Sequence, residues 1–348
     1  MKIDELLKFA VREGSSDIHL VAGRPPLIRI DGVLVKLEKF NIKEDKKEME
    51  ATILNMMTSE KQEQFKQEKE LDISYEIPEV ARFRINYYYE RDTIGMAARI
   101  ISSKIPTFED LMMPTVIKGL LEKSQGLILV TGATGSGKST SLASMVEYIN
   151  KNYAKHIVTI EDPIEYLYES KKSFISQRQL GEDTHSFSDS LKHVFRQDPD
   201  VIMVGEMRDL ETIATTITLA ETGHLVLSTL HTHTAAQTID RIIDVFPPYQ
   251  QQQIRLQLSM TLKGIISQRL INRVDGGRIA NWEVLMNTIS VSNSIRENKI
   301  AHIQTIIQTS SQEGMITADQ DLENLLSNGL ISEETFSFYY TGSKRKKK

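Results

Sequence analysis

The stretch Gly132–Ser139 has the residue types and the spacing that bind a phosphate chain. It reads Gly-Ala-Thr-Gly-Ser-Gly-Lys-Ser and fills every position of the phosphate loop G-x-x-x-x-G-K-S/T. Its glycines let the backbone turn N–H groups toward phosphate, Lys138 adds a positive charge, and the Ser139 hydroxyl is a ligand for Mg²⁺. We therefore predict that ATP and Mg²⁺ bind here. The predicted nucleotide-binding residues are Thr134, Gly135, Ser136, Gly137, Lys138, Ser139 and Thr140.

The segments on either side of this stretch are those that normally position such a loop. The apolar run Leu127–Val130 precedes it and reads as a buried strand. Ser141–Ile149 follows it and reads as a helix, whose positively polarised end faces an anion. A glycine-rich turn with an unrelated lysine would need neither element.

Three further apolar runs each read as a strand that ends in a polar cluster. The runs and the site candidates that follow them are Ile157–Ile160 with Glu165, Val201–Val204 with Glu206, and Leu225–Thr229 with His231. Ligands in open α/β sheets bind beyond the carboxyl ends of the strands. We therefore predict that the phosphate loop and these three clusters meet in one site.

The residue types in these clusters suggest roles in phosphoryl transfer, which depends on positioning and charge stabilisation. Glu206 follows an apolar strand, the Walker B arrangement, and we predict that it holds the Mg²⁺ shell and orients the attacking water. Glu165 and Glu161 are the other candidates for polarising that water. We predict that His231 donates to the γ-phosphate; a structural hydrogen bond is the alternative. A role for His233 at the nucleotide has weaker support.

Arg84 and Arg99, from a different part of the chain, are further candidate catalytic residues. They lie on neighbouring strand-like runs, Arg82–Tyr89 and Thr93–Ile101, whose alternation places both on one face. An arginine supplied across an interface stabilises the charge of the phosphoryl-transfer transition state. Without that context, both would be ordinary surface arginines.

The bulk composition excludes several classes of protein. The 348 residues predict two or three domains, and a net charge of −5 argues against a nucleic-acid partner. The absence of cysteine excludes disulfides and thiolate metal sites and fits a reducing cytosol. No apolar run approaches the roughly 20 residues that span a bilayer, so we expect a cytoplasmic protein. The basic tail Lys344–Lys348 is typical of a solvated end, with weak attraction to anionic lipid or nucleic acid as the alternative.

The order of strand-like and helix-like segments predicts two domains. Residues 1–101 read as a small α+β unit with antiparallel strands, and residues 102–110 read as a polar, proline-containing linker. In residues 111–348 strands alternate with helices, which predicts a parallel sheet followed by a helical C-terminal part and the basic tail. We also predict helices over Phe108–Leu121 and Tyr249–Leu270.

Read together, these motifs resemble the type II/IV secretion ATPases, and the resemblance runs nearly end to end. An Asp box that bears glutamate, a Gly-Glu-Met-Arg-Asp Walker B segment and a Thr-Leu-His-Thr His box are specific in combination. Within the family the chain is most similar to the motors that retract type IV pili. The segments that carry the resemblance are Ser16–Leu20, Val80–Asn86, Gly132–Thr140, Thr159–Glu165, Asp198–Thr212, Ala220–Thr232 and Ile239–Pro247.

The resemblance implies a homohexameric ATPase ring, in which a PAS-like N-terminal domain precedes a RecA-like α/β ATPase domain. It implies that ATP lies between the two domains and that Arg84 and Arg99 reach it. It points to Glu165 as the Asp-box glutamate and to Glu206 as the Walker B glutamate. Ring motions would turn an inner-membrane platform protein that extracts pilin subunits, at the inner face of the cytoplasmic membrane. The implied function is pilus retraction, which drives twitching motility.

Two features bear on whether such a motor retracts or assembles a pilus. Relatives that assemble pili or secrete proteins usually carry an extra N-terminal domain and a four-cysteine zinc motif, whereas this chain starts at the first predicted domain and lacks cysteine. Retraction motors carry a late Ala-Ile-Arg-Asn-Leu-Ile-Arg-Glu segment, preceded by His-Glu. Here Ser290–Glu297 has Ser292 in place of the first arginine, and Asn281-Trp282-Glu283 replaces the His-Glu segment. The alternatives are a pilus-assembly or type II secretion ATPase, or an accessory, non-retracting motor.

Other proteins with a phosphate loop fit this sequence less well. A small-molecule kinase needs an acceptor site and a lid and has no need of His231. A DNA translocase needs a basic, aromatic-lined channel, which the net charge disfavours. A nucleotide-dependent switch is the non-enzyme alternative. Glu165 and Glu206, acidic residues at two strand ends, favour turnover over a switch.

Overall fold

The computed structural model describes residues 3–30, 32–40, 46–101 and 104–342. The chain splits into two compact units, Met1–Lys104 and Ile105–Lys348, and each is described by itself. Part of the predicted linker, Ser102–Ser103, and the basic tail Lys344–Lys348 lie outside the described residues.

The first unit is built on an antiparallel sheet of six strands. The strand order is β3-β2-β1-β6-β5-β4, and all neighbours run antiparallel, as predicted for this part of the chain. The described helices are α1 (Ile3–Arg12), α2 (Lys46–Leu54) and α3 (Ser59–Glu68). The strands are β1 (Asp17–Val21), β2 (Leu27–Ile30), β3 (Val33–Lys36), β4 (Glu70–Ile77), β5 (Ala81–Glu90) and β6 (Thr93–Ile101).

Alternation along β5 gives this sheet one buried and one exposed face. Phe83, Ile85 and Tyr87 are fully buried and belong to one core with Leu6 of α1. Arg84, between them in sequence, is exposed, because successive side chains of a strand point to opposite faces. Burial of the apolar side chains on one face of the sheet therefore places Arg84 on the exposed face.

The second unit is built on a sheet of seven strands in the order β13-β12-β7-β11-β10-β8-β9. All neighbouring pairs are parallel except β12 and β13, which are antiparallel. The strands are β7 (Gly126–Thr131), β8 (His156–Glu161), β9 (Phe174–Gln179), β10 (Val201–Val204), β11 (Leu225–Leu230), β12 (Leu262–Asn272) and β13 (Arg278–Met286). The described helices are α4 (Val116–Leu121), α5 (Lys138–Asn152), α6 (Phe187–Val194), α7 (Leu210–Glu221), α8 (Ala235–Asp244), α9 (Pro248–Thr261), α10 (Ile289–Arg296), α11 (Ile303–Thr309), α12 (Ala318–Ser327) and α13 (Glu333–Tyr339).

Apolar side chains cover both faces of the seven-stranded sheet. Every residue of β7, β10 and β11 is buried. Leu127 and Leu129 of β7 enter one core, which also contains side chains of α7 and α8. Ile128 and Val130 enter a second core with side chains of α4 and α5. A parallel sheet that is buried on both faces reads as continuous apolar runs, and this explains why these strands are visible in the sequence.

Two predicted helices are wrong in part. Phe108–Leu121 is helical only in α4, because Pro114 disfavours helical backbone in the residue before it and Met112 has a left-handed φ of 49°. The predicted helix Tyr249–Leu270 ends at Thr261 and continues as strand β12. Periodicity alone does not separate a short buried helix from a buried strand.

Candidate functional site

The phosphate loop joins the end of β7 to the start of α5. Gly132, Gly135 and Gly137 have φ angles of 148°, 76° and 89°, in the region that favours glycine. At Gly132 an added Cβ would lie 2.2 Å from the backbone oxygen of Gln268 and 2.6 Å from Ser136 Oγ. The loop therefore needs glycine at position 132 for two independent reasons, its backbone angle and the lack of space.

Lys138, the first residue of α5, is 8% exposed. Its Nζ donates to the backbone oxygens of Gly132 at 2.9 Å and Ala133 at 3.0 Å. Burial lowers the pKa of this ammonium group, while the carboxylates of Glu206 and Glu165 act in the opposite direction. The lysine charge is therefore held against the loop and interacts with carboxylates from two other strand ends.

Two buried polar atoms at this loop, Ser136 Oγ and Gln268 Oε1, have no hydrogen-bond partner among the described residues. Gln268 also donates from Nε2 to the backbone oxygen of Ser136 at 2.6 Å. Buried polar groups are normally paired. An unpaired hydroxyl, a buried ammonium group and the N-terminal end of the 15-residue helix α5 together fit a phosphate-binding site.

Glu206, just after β10, is joined to the phosphate loop through a histidine. Its Oε1 lies 3.0 Å from His231 Nε2, and its Oε2 accepts from Arg208 Nη2 at 2.9 Å. His231 Nδ1 lies 3.4 Å from Thr134 Oγ1 of the loop. Burial acts to raise the pKa of the Glu206 carboxyl, but the hydrogen bond from Arg208 and the charges of His231 and Arg208 outweigh it and lower the pKa. Glu206 is therefore an ionised acceptor that contacts the element facing the phosphate.

Glu165 lies in the loop after β8, and its charge interacts with that of Lys138. The hydroxyl of the next residue, Tyr166, is 3.0 Å from Thr140 Oγ1 in the first turn of α5. Glu161, the last residue of β8, is 6% exposed and accepts the Glu165 backbone N–H at 3.4 Å. The two glutamates of this cluster therefore have different environments, since Glu161 is buried and Glu165 is not.

The structure thus brings residues from all four predicted strand ends into one connected group. His233 is not part of it. It lines a cavity of about 410 Å³ together with Arg269 and Glu283, and its backbone N–H donates to Gln237 Oε1 at 3.3 Å. The connected residues are Thr134, Lys138, Thr140, Glu165, Tyr166, Glu206, Arg208 and His231.

Arg84 and Arg99 lie on the exposed face of the sheet in the first unit. They sit directly opposite each other on β5 and β6, so the predicted shared face is confirmed. Arg99 Nε lies 2.8 Å from Asp17 Oδ1, and Arg84 Nε lies 3.7 Å from Asp72 Oδ1. Both guanidinium groups therefore have carboxylate partners within their own unit, and their role at a nucleotide stays a prediction.

Ser139 and Glu206 are the predicted Mg²⁺ ligands. Within residues 3–30, 32–40, 46–101 and 104–342, no cluster of three or more His, Asp or Glu side chains forms a complete metal site. Mg²⁺ is usually bound through one or two protein oxygens together with substrate phosphates and water. A helix-start hydroxyl and an ionised carboxylate fit an ion that is bound in that way.

Three contacts at the site are not predicted from the sequence. Arg208 is visible only as a basic residue two positions after Glu206. Tyr166 gives no signal beyond its position after Glu165. Gln268 lies in a segment whose spacing predicts a helix, so its contact with the phosphate loop is hidden until β12 is placed beside β7.

A phosphate loop lies at the carboxyl edge of a mostly parallel sheet, and acidic residues follow two other strands, β8 and β10, at that edge. This arrangement defines a nucleotide-binding α/β protein. The chain belongs to the type II/IV secretion system protein family, whose model matches residues 1–319.

Its relatives include proteins of pilus systems. The chain is 47% identical to the type IV pilus retraction ATPase PilT of Pseudomonas aeruginosa over 96% of both chains. It is 44% identical to a twitching motility protein of Neisseria gonorrhoeae, over 94% of this chain and 88% of that protein. The crystal structure of the pilus retraction motor PilT with bound ADP superposes with a TM-score of 0.92 at 45% identity, covering 99% of this chain and 98% of that one.

In the part of the chain that the structure describes, no helix has the length and apolar character needed to cross a membrane.

Proposed function

We propose that this chain is an ATPase that drives retraction of type IV pili and hence twitching motility. The observation that carries the enzymatic part is the contact from Thr134 through His231 to Glu206, since it joins the phosphate loop to an ionised carboxylate at another strand end. The pilus part rests on similarity over nearly the whole chain to a pilus retraction ATPase and to a twitching motility protein.

In the proposed reaction, a water oxygen bonds to the γ-phosphorus of ATP and the bond to the β–γ bridging oxygen breaks. Lys138 and the loop N–H groups stabilise the charge on the phosphate oxygens. Glu165 accepts the water proton. Glu206 keeps His231 oriented toward the loop. With a proton on each ring nitrogen, His231 donates from Nε2 to Glu206 and from Nδ1 to the γ-phosphate. Mg²⁺, held through Ser139 and Glu206, would supply further charge neutralisation.

The finer architecture is part of the same proposal. Residues 1–101 are a PAS-like domain, residues 102–110 a linker and residues 111–348 a RecA-like ATPase domain. Arg84 and Arg99 stabilise transition-state charge. The protein works as a homohexamer on an inner-membrane platform protein, and through it on pilin, at the inner face of the cytoplasmic membrane.

An accessory motor of the same family is the second candidate function. Ser292 stands in α10 where the resemblance to retraction motors leads one to expect arginine. Its hydroxyl oxygen lies 2.8 Å from the backbone oxygen of Ser259 and 3.0 Å from Asn287 Oδ1, and both oxygens are acceptors for its single proton. The side chain is thus directed at its own unit, without the charge and reach of an arginine. The chain is also 39% identical to the type IV pilus ATPase PilU of Pseudomonas aeruginosa.

We expect Glu206→Gln to lower steady-state ATP hydrolysis by about a hundredfold or more. The amide keeps the size of the side chain but removes the charge that interacts with His231 and Arg208. The measurement is phosphate release by the purified protein. Glu211→Gln is the matched control, because Glu211 is exposed and pairs with Lys192. Unchanged hydrolysis by the Glu206 variant would refute the assignment of this site.

The pilus assignment predicts the phenotype of a deletion strain. Cells without the gene should carry excess surface pili and lose twitching, because pili that are assembled are no longer withdrawn. Electron microscopy of surface pili and a twitching assay measure this, with complementation by the wild-type gene and by the Glu206→Gln variant. Loss of pili would instead indicate an assembly motor, and unchanged pili with reduced twitching would indicate an accessory one.

A further inference from the structure

The loop of residues 162–173 carries Glu165 from β8 to β9 and contains no helix or strand. Connecting loops are usually more mobile than the elements they join, and a catalytic carboxylate needs a defined position. In this loop the backbone groups around Glu165 are hydrogen-bonded to side chains at the ends of the two flanking strands. Those side chains belong to Glu161 of β8 and to Gln177 and Gln179 of β9.

Glu161 accepts from three donors. Its Oε1 accepts from the Thr159 hydroxyl at 2.7 Å and from Gln177 Nε2 at 3.3 Å. Its Oε2 accepts from the backbone N–H of Glu165 at 3.4 Å. The carboxylate therefore accepts hydrogen bonds on both of its oxygens and is connected directly to the backbone of Glu165.

The two glutamines fix the residues on either side of Glu165. Gln177 donates to the backbone oxygen of Tyr166 at 2.8 Å and accepts from the backbone N–H of Tyr168 at 2.9 Å. Gln179 Oε1 accepts from the backbone N–H of Ile164 at 3.2 Å. The loop has no backbone hydrogen bonds of a sheet, and these side-chain bonds replace them. They hold the backbone from Ile164 to Tyr168 at four points.

The register of β8 and β9 explains why these side chains meet. Thr159 pairs with Gln177, and Glu161 pairs with Gln179. Residues two apart in a strand share a face, so all four side chains lie on the same side of the sheet. Ser176, between them on β9, points to the other side and lies 3.4 Å from His156 Nε2.

We propose that Glu161 is a positioning residue, which together with Gln177 holds the loop so that the Glu165 carboxylate reaches the water that attacks ATP. This inference rests on the proposed function, in which Glu165 accepts the proton of that water. It replaces the alternative that Glu161 itself polarises the water, because its carboxylate is only 6% exposed and already accepts hydrogen bonds from three protein donors.

The titration of Glu161 agrees with this role. Burial raises the pKa of its carboxyl to about 7, although the hydrogen bonds from Thr159, Gln177 and the Glu165 backbone act to lower it. Glu165 and Tyr168 are ionisable groups whose charges interact with it. A protonated carboxyl accepts fewer hydrogen bonds than a carboxylate. The Glu161-dependent part of hydrolysis should therefore be lost as the pH falls through about 7.

Because the pKa of Glu161 is raised, the effect of Glu161→Gln on activity can be distinguished from its effect on the stability of the fold. A carboxyl whose pKa is higher in the folded state stabilises the fold while protonated, and that contribution is lost as the pH rises through about 7. Replacing Glu161 with glutamine removes an ionisation that opposes folding. At pH 8 the Glu161→Gln variant should therefore be no less stable than the wild-type protein, and a loss of activity there reports on the position of the loop.

The test compares kcat and KM for ATP, with the full-length protein, in Glu161→Gln and Gln177→Leu. We expect kcat to fall by about tenfold to a hundredfold, the size that misplacement of a catalytic group produces, with KM changed less than about threefold. We also expect the part of the acid limb that lies near pH 7 to disappear from the kcat profile in Glu161→Gln. Ser176→Ala is the matched control on the other face of β9 and should behave as wild type.

Unchanged kcat in both variants, or a fall in kcat with the acid limb near pH 7 intact in Glu161→Gln, would overturn the inference. Thermal unfolding identifies a variant that does not fold, and Gln177→Asn, which keeps the amide but shortens its reach, then replaces Gln177→Leu. Glu165→Gln is measured alongside. Full activity in Glu165→Gln refutes the proposed role of Glu165. An inactive Glu165→Gln with fully active Glu161 and Gln177 variants refutes the positioning role alone.

Discussion

Gly132→Ala is expected to abolish nucleotide binding, and with it ATP hydrolysis, while leaving the rest of the fold intact. The new Cβ would lie 2.2 Å from the backbone oxygen of Gln268, on the adjacent strand β12. Gly132 and Gln268 directly follow Thr131 and Ser267, the last paired residues of β7 and β12, so this pairing limits how far either backbone can move. A non-glycine residue at a φ of 148° adds about 1–3 kcal/mol of strain, and overpacking adds about 1–3 kcal/mol. Both costs are relieved only if the loop moves away from the phosphate position.

Gly135→Ala separates the two effects in the same loop. Gly135 also has a left-handed φ, of 76°, but nothing lies within 4 Å of an added Cβ. Its substitution should cost only the backbone strain, about 1–2 kcal/mol, and should weaken binding much less. Titration with a fluorescent ADP analogue measures both variants, and circular dichroism reports on their folding. Equal effects at the two positions would show that the contact with Gln268 does not restrict the loop.

The strands that build the site are predictable because they are buried on both faces. In β7, alternate residues such as Leu127 and Ile128 enter two different cores, so no polar residue interrupts the run. The polar cluster that follows marks the point at which the chain leaves the core. Since parallel strands end at the same edge of a sheet, the sequence also predicts that Glu206 and His231 approach the phosphate loop.

Strand β12 is not predictable in the same way, because its structure is decided by partners far away in sequence. Leu262–Asn272 follows a helix without an intervening turn. Its apolar residues fit the spacing of a helix as well as that of a buried strand. Its pairing with β7 and β13 decides the conformation, as tertiary contacts often override local preference. The helix predicted over Tyr249–Leu270 therefore hides Gln268, the side chain that supports the phosphate loop from the neighbouring strand.

The separate roles of Glu161 and Glu165 also depend on information that the sequence does not contain. Both are glutamates in one short cluster, and either has suitable chemistry for polarising water. Burial and the donors on β9 separate them, because Gln177 reaches Glu161 only in the parallel register of β8 and β9. The spacing of the cluster predicts an acidic site but does not determine which carboxylate faces the nucleotide.

Lys138→Met is expected to lower kcat/KM for ATP by about a hundredfold to a thousandfold, the loss that follows removal of one stabilising donor from an active site. Methionine keeps much of the length of the side chain and removes the charge. The Nζ that now contacts the Gly132 and Ala133 backbone oxygens would no longer be present to move onto phosphate. Affinity for ADP should fall as well, because a charge-assisted hydrogen bond contributes about 1.5–3 kcal/mol.

Lys138→Met should lower kcat/KM more than the same substitution of an exposed lysine. Lys192→Met is the matched control, since Lys192 is exposed and pairs with the exposed Glu211, and such pairs contribute about 0–1 kcal/mol. Burial lowers the pKa of Lys138, and the charges of Glu206 and Glu165 oppose that change. Glu206→Gln should therefore lower the pKa of Lys138 further and move the alkaline limb of hydrolysis to lower pH. Wild-type kcat/KM in Lys138→Met would contradict the role of Lys138 at the phosphates. An alkaline limb that Glu206→Gln leaves in place would contradict the electrostatic coupling of Lys138 with Glu206.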